Sequence, residues 1–139
     1  MNSSKHIYPL PAQGDIVWCR FPNVDALGSP GPKGRPALVI AVSDTDHAVE
    51  VVYGTTKKVD KIYPTEFVMD PNDPGYCVSG LAARTKFDFG RSVKLIFDTE
   101  WFWTAPGMTR NSPLPKLGVL HPSYMRQAEI AYRNALPKK

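Results

Sequence analysis

Arg35 stands at the head of an apolar run, Pro36-Ala37-Leu38-Val39-Ile40-Ala41-Val42, and directly after a loop rich in proline and glycine. A guanidinium stays charged at any working pH and presents its donors as a planar fork. That makes it a strong clamp for a phosphodiester and a poor base. Rooted in a buried strand on one side, with a flexible loop on the other, Arg35 is a fixed cation beside a segment able to close over a polyanion. The alternative is a solvated arginine where a strand begins. Thr55 ends the run Val51-Val52-Tyr53-Gly54-Thr55 and can donate to a phosphoryl oxygen. Threonine also occurs in strands for its β-branched shape alone. Thr56 faces the other way in an extended chain, so a one-residue slip of register would exchange the two. Lys33 flanks Arg35 and suits either a backbone phosphate or a solvated loop.

The remaining chemistry-bearing residues are more scattered. His47 titrates in the range a general base needs, but it sits in a turn beside Asp44 and Asp46, where an exposed turn histidine is the simpler reading. His121 precedes a helical pattern and reads as a cap or a surface residue, and His6 lies in the lead-in. Asp44 and Asp46 read as turn-closing residues rather than magnesium ligands. Trp101-Phe102-Trp103 offers flat faces on which bases could stack. Clustered aromatics also plug one end of a small barrel or form a dimer seam. Cys19 and Cys77 fall in no metal-ligand spacing, and Cys19 reads as a small buried hydrophobe. The chain has no P-loop, GxSxG or HExxH motif. No metal or cofactor is expected.

These residues need a scaffold of short elements. The chain has 139 residues, expected as a single domain, with 42% hydrophobic and 22% charged residues, as in ordinary globular proteins. Its net charge of +4 is a mild bias that fits a nucleic-acid partner. Fourteen prolines, mostly in loops, argue against long helices. The pattern predicts a loose lead-in over 1–12 and strands over 15–21, 37–42, 48–55, 62–68 and 92–97. The 37–42 strand reads as central and buried on both faces. Residues 22–34 read as a mobile loop, 80–84 as a helical turn, and 100–115 as a long surface excursion. Helix 122–136 starts at Pro122, with Tyr124, Ala128, Ala131 or Tyr132, and Ala135 as its inner stripe. Together these give a mainly β fold, a small, curled, mostly antiparallel barrel with a C-terminal helix packed on it. With no signal-peptide pattern and no apolar run of membrane-spanning length, the expectation is a cytoplasmic protein without a membrane partner.

The order of these blocks resembles the MazF/PemK family of toxin ribonucleases. The match runs through Gly14-Asp15-Ile16-Val17-Trp18, Gly28-Ser29, Arg35-Pro36 with the apolar run to Val42, and Val51-Val52-Tyr53-Gly54-Thr55. A weaker block extends from Gly80-Leu81 to Val93, so that residues 14 to 97 carry the likeness. The resemblance implies an SH3-like, CcdB/PemK-like barrel, a homodimer, and metal-independent, sequence-specific cleavage of single-stranded RNA such as mRNA. It also implies an antitoxin partner with a flexible acidic tail. Carried over by position, the catalytic arginine falls on Arg35 and the catalytic threonine on Thr55, with Ser29, Lys33, Lys57 and Lys58 as RNA-binding candidates. Where relatives often have Glu-Gln after Gly-Ser, this chain has Pro30-Gly31. That loop helps close over RNA in the family, so the departure bears on substrate sequence. The rival expectation is a non-catalytic SH3-like module that uses the same groove only to bind nucleic acid or a protein.

Overall fold

Alternation along the central strands decides which way each side chain faces. In strand Asp15–Cys19 (β1), Ile16 enters one core, while Val17 and Cys19 enter another on the opposite face. The same split recurs in Arg35–Ser43 (β2), where Leu38 opposes Ala37 and Val39. It recurs again in Ala48–Thr55 (β3), where Val52 opposes Val49 and Val51. A sheet covered on both faces needs apolar residues at successive positions, which is why these strands read as nearly continuous apolar runs. In β2 this holds through Val39; Ala41 and Val42 reach solvent.

The computed structural model describes residues 5–106 and 114–137. Glu66–Met69 (β4), Thr85–Ile96 (β5) and Lys116–Val119 (β6) complete a six-stranded antiparallel sheet in the order β4-β5-β3-β2-β1-β6. The sheet curls into a half-barrel. One face is covered by helix Met125–Ala135 (α1) and by Tyr124, which precedes it. Tyr124, Ala128 and Ala131 bury against Ile16, Leu38, Val52 and the stacked pair Phe67–Phe87. His121 caps the 3-10 turn Pro122–Tyr124 that leads into α1, its Nδ1 accepting the Ser123 N–H at 3.0 Å. The inner stripe thus runs through Ala131, and Tyr132 lies outside it, exposed. The opposite face buries Val17, Val39, Val51, Phe97 and Phe102.

Several elements differ from the sequence expectation. The 15–21 strand stops at Cys19, and the 62–68 strand starts only at Glu66. The expected strand 92–97 is the second half of a 12-residue strand, β5, whose first half pairs with β4. The helical turn expected over 80–84 is a bend; a 3-10 turn occupies Tyr76–Val78 instead. Strand β6 was not expected, because four residues including Gly118 give little alternation to read.

The aromatic segment is not a free surface either. Phe102 is buried and bridges Cys19, and the main chain of 101–103 runs along the outer edge of β1 through Arg20 N–H to Trp101 C=O and Trp103 N–H to Trp18 C=O. Residues 107–113 of the expected excursion lie outside the described residues. The lead-in is tied down from Lys5 onward: Ile7 N–H donates to Phe97 C=O, Thr99 N–H to Lys5 C=O, and Ile7 packs on the core. Its first four residues lie outside the described residues. Among the described residues no helix is long and apolar enough to cross a membrane.

Candidate active site

Arg35 begins β2 and Thr55 ends β3, and strand register brings them together. Cys19 faces Arg35 across β1–β2, and Ala37 faces Tyr53 across β2–β3. Continuing that register by two residues sets Arg35 opposite Thr55. Close approach of the two strands here depends on Gly54: a Cβ at that position would collide with the Pro36 carbonyl oxygen and the Phe87 ring. Gly34 does the same for the loop, which passes directly over the Trp18 indole before Arg35. The loop is also fixed at Gly31, whose N–H donates to Arg20 C=O at 3.0 Å while Arg20 Nε donates back to Gly31 C=O at 3.1 Å.

Arg35 and Thr55 line a hollow of about 500 Å³ at this end of the sheet, together with Lys33, Thr56 and Lys57. Arg35 is half-buried; its guanidinium carbon lies 5.6 Å from the Tyr53 ring centroid. Among the described residues no carboxylate pairs with Arg35, Lys33 or Lys57. Thr55 is buried, and its Oγ1 accepts the Lys57 N–H at 3.0 Å. That bond uses a lone pair and orients the hydroxyl, leaving its proton to donate. A preorganised cation and an O–H donor facing one hollow can stabilise charge that gathers on phosphoryl oxygens.

The structure sorts the other candidates. Thr56 joins the lining beside Gly54 and Pro36, so the hollow takes residues from both faces of the strand ends. Ser29 is exposed in a turn closed by its N–H to Ala26 C=O, and Lys58 adopts φ 53° in the turn after β3; neither lines the hollow. His47 is not the exposed turn residue expected. It is buried, adopts φ 51°, and its Nε2–H donates to Ile7 C=O at 2.8 Å. It also stacks on His6 at 4.4 Å. It sits eight residues from Thr55 along β3, roughly 25 Å away at strand spacing, so it takes no part in this hollow. Asp46 pairs with Lys94, which holds its carboxyl below the usual range. Burial pushes the Cys19 thiol up, which keeps it protonated and inert. Among the described residues no three His, Cys, Asp or Glu side chains gather to hold a metal.

Arg91 is absent from the sequence expectation; it does not line the hollow, but its guanidinium carbon lies 3.8 Å from the centroid of the Tyr53 ring that Arg35 also approaches. The available signal was Gly90 within an otherwise strand-like stretch, which marks a bulge. A second hollow of about 570 Å³ lies between α1 and β2. It is lined by apolar residues with Glu50 and Glu129 and by no lysine or arginine, so it does not suit a polyanion.

Residues 12–82 match the family model of PemK-like, MazF-like toxins of type II toxin–antitoxin systems, a span that contains both Arg35 and Thr55. No curated protein matches the chain. Among solved structures, an endoribonuclease in complex with its cognate antitoxin from a mycobacterial species is similar, with a TM-score of 0.54 and 18% identity. The likeness covers 93% of this chain and 99% of that one. An endoribonuclease from a mycobacterial species is similar with a TM-score of 0.55 and 18% identity, over 94% of this chain and 97% of that one. At this identity the likeness is one of fold. The match over residues 12–82, half of the chain, carries more: this chain belongs to the PemK-like, MazF-like toxin family of type II toxin–antitoxin systems.

Proposed function

We propose that this toxin is an endoribonuclease that cuts single-stranded RNA such as mRNA, with Arg35 and Thr55 as its catalytic pair. The ribose 2′-hydroxyl attacks the neighbouring phosphorus and gives up its proton to solvent, the P–O5′ bond breaks with the 5′-oxygen taking up a proton from solvent, and the upstream fragment ends in a 2′,3′-cyclic phosphate. Negative charge gathers on the phosphoryl oxygens, where the guanidinium of Arg35 and the hydroxyl of Thr55 stabilise it. The observation that carries this reading is a hollow in which an arginine with no carboxylate partner among the described residues and an oriented threonine hydroxyl occupy facing strand ends. Lys33 and Lys57 supply further positive charge for backbone phosphates. Both solved relatives are called endoribonucleases, which supports the same activity here.

The partner that restrains the toxin is an antitoxin, as in the mycobacterial complex. In this reading a flexible acidic segment occupies the basic hollow in place of RNA. The toxin works as a homodimer that completes the RNA groove, and it acts in the cytoplasm, where mRNA is met. Incubation with a long RNA tests the activity: cleavage survives EDTA, leaves a cyclic phosphate, and stops when the 2′-hydroxyl at the cut site is replaced by hydrogen. Strict magnesium dependence overturns the mechanism. RNA that is bound but never cut leaves a binding module.

A further inference from the structure

Opposite Tyr53 the register of β5 against β3 jumps. Val52 faces Ser92, but Tyr53 faces Asp88, so Phe89, Gly90 and Arg91 form a bulge within a single step of β3. Asp88 fixes this bulge. Its Oδ1 accepts the Gly90 N–H at 2.8 Å and the Thr65 hydroxyl at 2.7 Å, while the Phe89 N–H donates to Thr65 C=O. A bulge bends its strand and re-aims a side chain. Here Phe89 packs into the helix-side core, whereas the Arg91 guanidinium carbon sits 3.8 Å from the Tyr53 ring centroid and 5.5 Å from that of Phe21. Arg35 lies 5.6 Å from the same Tyr53 ring, so the two guanidiniums are no further apart than those two distances laid end to end.

Like charges at this range repel, and the ring face offsets only part of the cost. Among the described residues no carboxylate pairs with either arginine. Arg84, by contrast, meets Asp70 at 2.8 Å. Both Arg35 and Arg91 are half-buried and reach solvent. Two residues of β3 separate Tyr53 from Thr55, roughly 7 Å along the strand, the scale of one nucleotide step. A phosphate seated between Arg35 and Thr55 would set the next phosphate of the same strand one such step away, toward the Tyr53 ring that Arg91 covers. Because Arg91 already covers a face of Tyr53, the ring is a spacer rather than a platform for a base.

We propose that Arg91 binds the phosphate adjacent to the scissile one, and that Tyr53 sets the spacing between the two guanidinium clamps. This rests on the RNA-cleaving reading of the same site. The test compares wild type with Arg91→Gln and Arg91→Lys, using an RNA carrying a 2′-deoxy sugar at the cut site and methylphosphonates introduced one phosphate at a time. Melting temperatures check that each variant is folded. Arg91→Gln should weaken binding and lower the slope of log Kd against log salt by about 0.7, the loss of one contact to a single strand. In wild type, one flanking methylphosphonate should produce the same loss; in Arg91→Gln that substitution should cost nothing further. Arg91→Lys should keep the salt slope but not the full affinity. With cleavable RNA, Arg91→Gln should raise KM more than it lowers kcat, because the lost contact serves substrate and transition state alike. A wild type that cuts RNA, with every flanking methylphosphonate costing Arg91→Gln as much as wild type, overturns the inference alone. Coupling in a wild type that cuts no RNA upholds Arg91 as a phosphate ligand and overturns only the cleavage reading.

Discussion

The two ends of β3 both carry chemistry-bearing polar side chains and treat them differently. Where the strand begins, His47 stacks on His6, meets the Tyr8 ring at a tilt, donates to the Ile7 carbonyl and is covered by the docked lead-in. Where the strand ends, Arg35 has no carboxylate partner among the described residues, and the Thr55 hydroxyl oxygen accepts the Lys57 N–H. The proposed function puts the binding capacity at the second end, where no carboxylate among the described residues pairs with Arg35, Lys33 or Lys57. Residue type alone points the wrong way, since histidine is the commoner catalytic group and here it is structural.

The largest expected effect breaks that comparison directly. Arg35→Ala should cut the RNA cleavage rate by about a hundredfold or more, near 3 kcal/mol, because it removes a charge-assisted stabiliser of the transition state. Arg35→Lys should keep most of that loss, since charge without the planar fork does not restore two-point contact. Melting temperature should change little in both, the guanidinium facing a hollow rather than the core. Wild-type cleavage by Arg35→Ala would transfer the site elsewhere. Next comes Thr55→Val, which keeps the β-branched shape. It should lose about 2 kcal/mol, roughly thirtyfold in rate, the scale of a hydrogen bond to a charged group. Thr56→Val serves as its control and should be milder, with the same fluorogenic RNA reporting on both.

At the other end of β3 the effect should be smaller and of a different kind. His47→Ala removes the bond to Ile7, the stack on His6, the tilted contact with Tyr8, and a residue type that tolerates φ 51°. A loss of about 2 kcal/mol in stability is expected, read by denaturant unfolding. Cleavage per folded molecule should be unchanged. His47→Asn should recover the backbone part of the loss, because asparagine accepts positive φ more readily than alanine. A large drop in kcat at unchanged stability would contradict the assignment of this end as structural.

The strands that build the site were legible because a sheet buried on both faces imposes unbroken apolar runs, and β2 and β3 carry them. Arg35 and Thr55 could be singled out because each terminates such a run. Arg91 could not, because its direction is set by a bulge whose anchor is a carboxylate 23 residues from Thr65 in sequence. Local pattern carries no trace of that contact. The burial of His47 was hidden for the same reason: its partners His6 and Ile7 arrive from the lead-in, 40 residues away in the case of Ile7. Strand β6 and the 101–103 segment pair with the outer edge of β1, and edge pairing depends on what lies opposite rather than on what the segment contains.

Arg84 allows the sharpest contrast with Arg35, because it belongs to the same end of the sheet yet is compensated. Its neighbours Ala83 and Thr85 line the hollow, but its guanidinium binds Asp70 and the Val59 carbonyl, fixing the segment after β3. The Asn72 N–H and the Arg84 guanidinium hold the Asp70 carboxyl below the usual carboxylate range. A carboxyl whose folded pKa is depressed adds stability above its unfolded pKa, about 3.9, and loses it as pH falls through the lower folded value. Asp70→Asn keeps an acceptor for Asn72 and removes only the charge. At neutral pH the variant should melt slightly below wild type, the modest effect of a partly exposed ion pair. The gap should stay constant from about pH 8 to 5 and close below about pH 4, as wild type takes up the proton that the variant cannot. Melting curves of both proteins across that range read the difference. A gap that persists unchanged in strong acid would mean that Asp70 acts through shape and not charge, and that Arg84 is as uncompensated as Arg35.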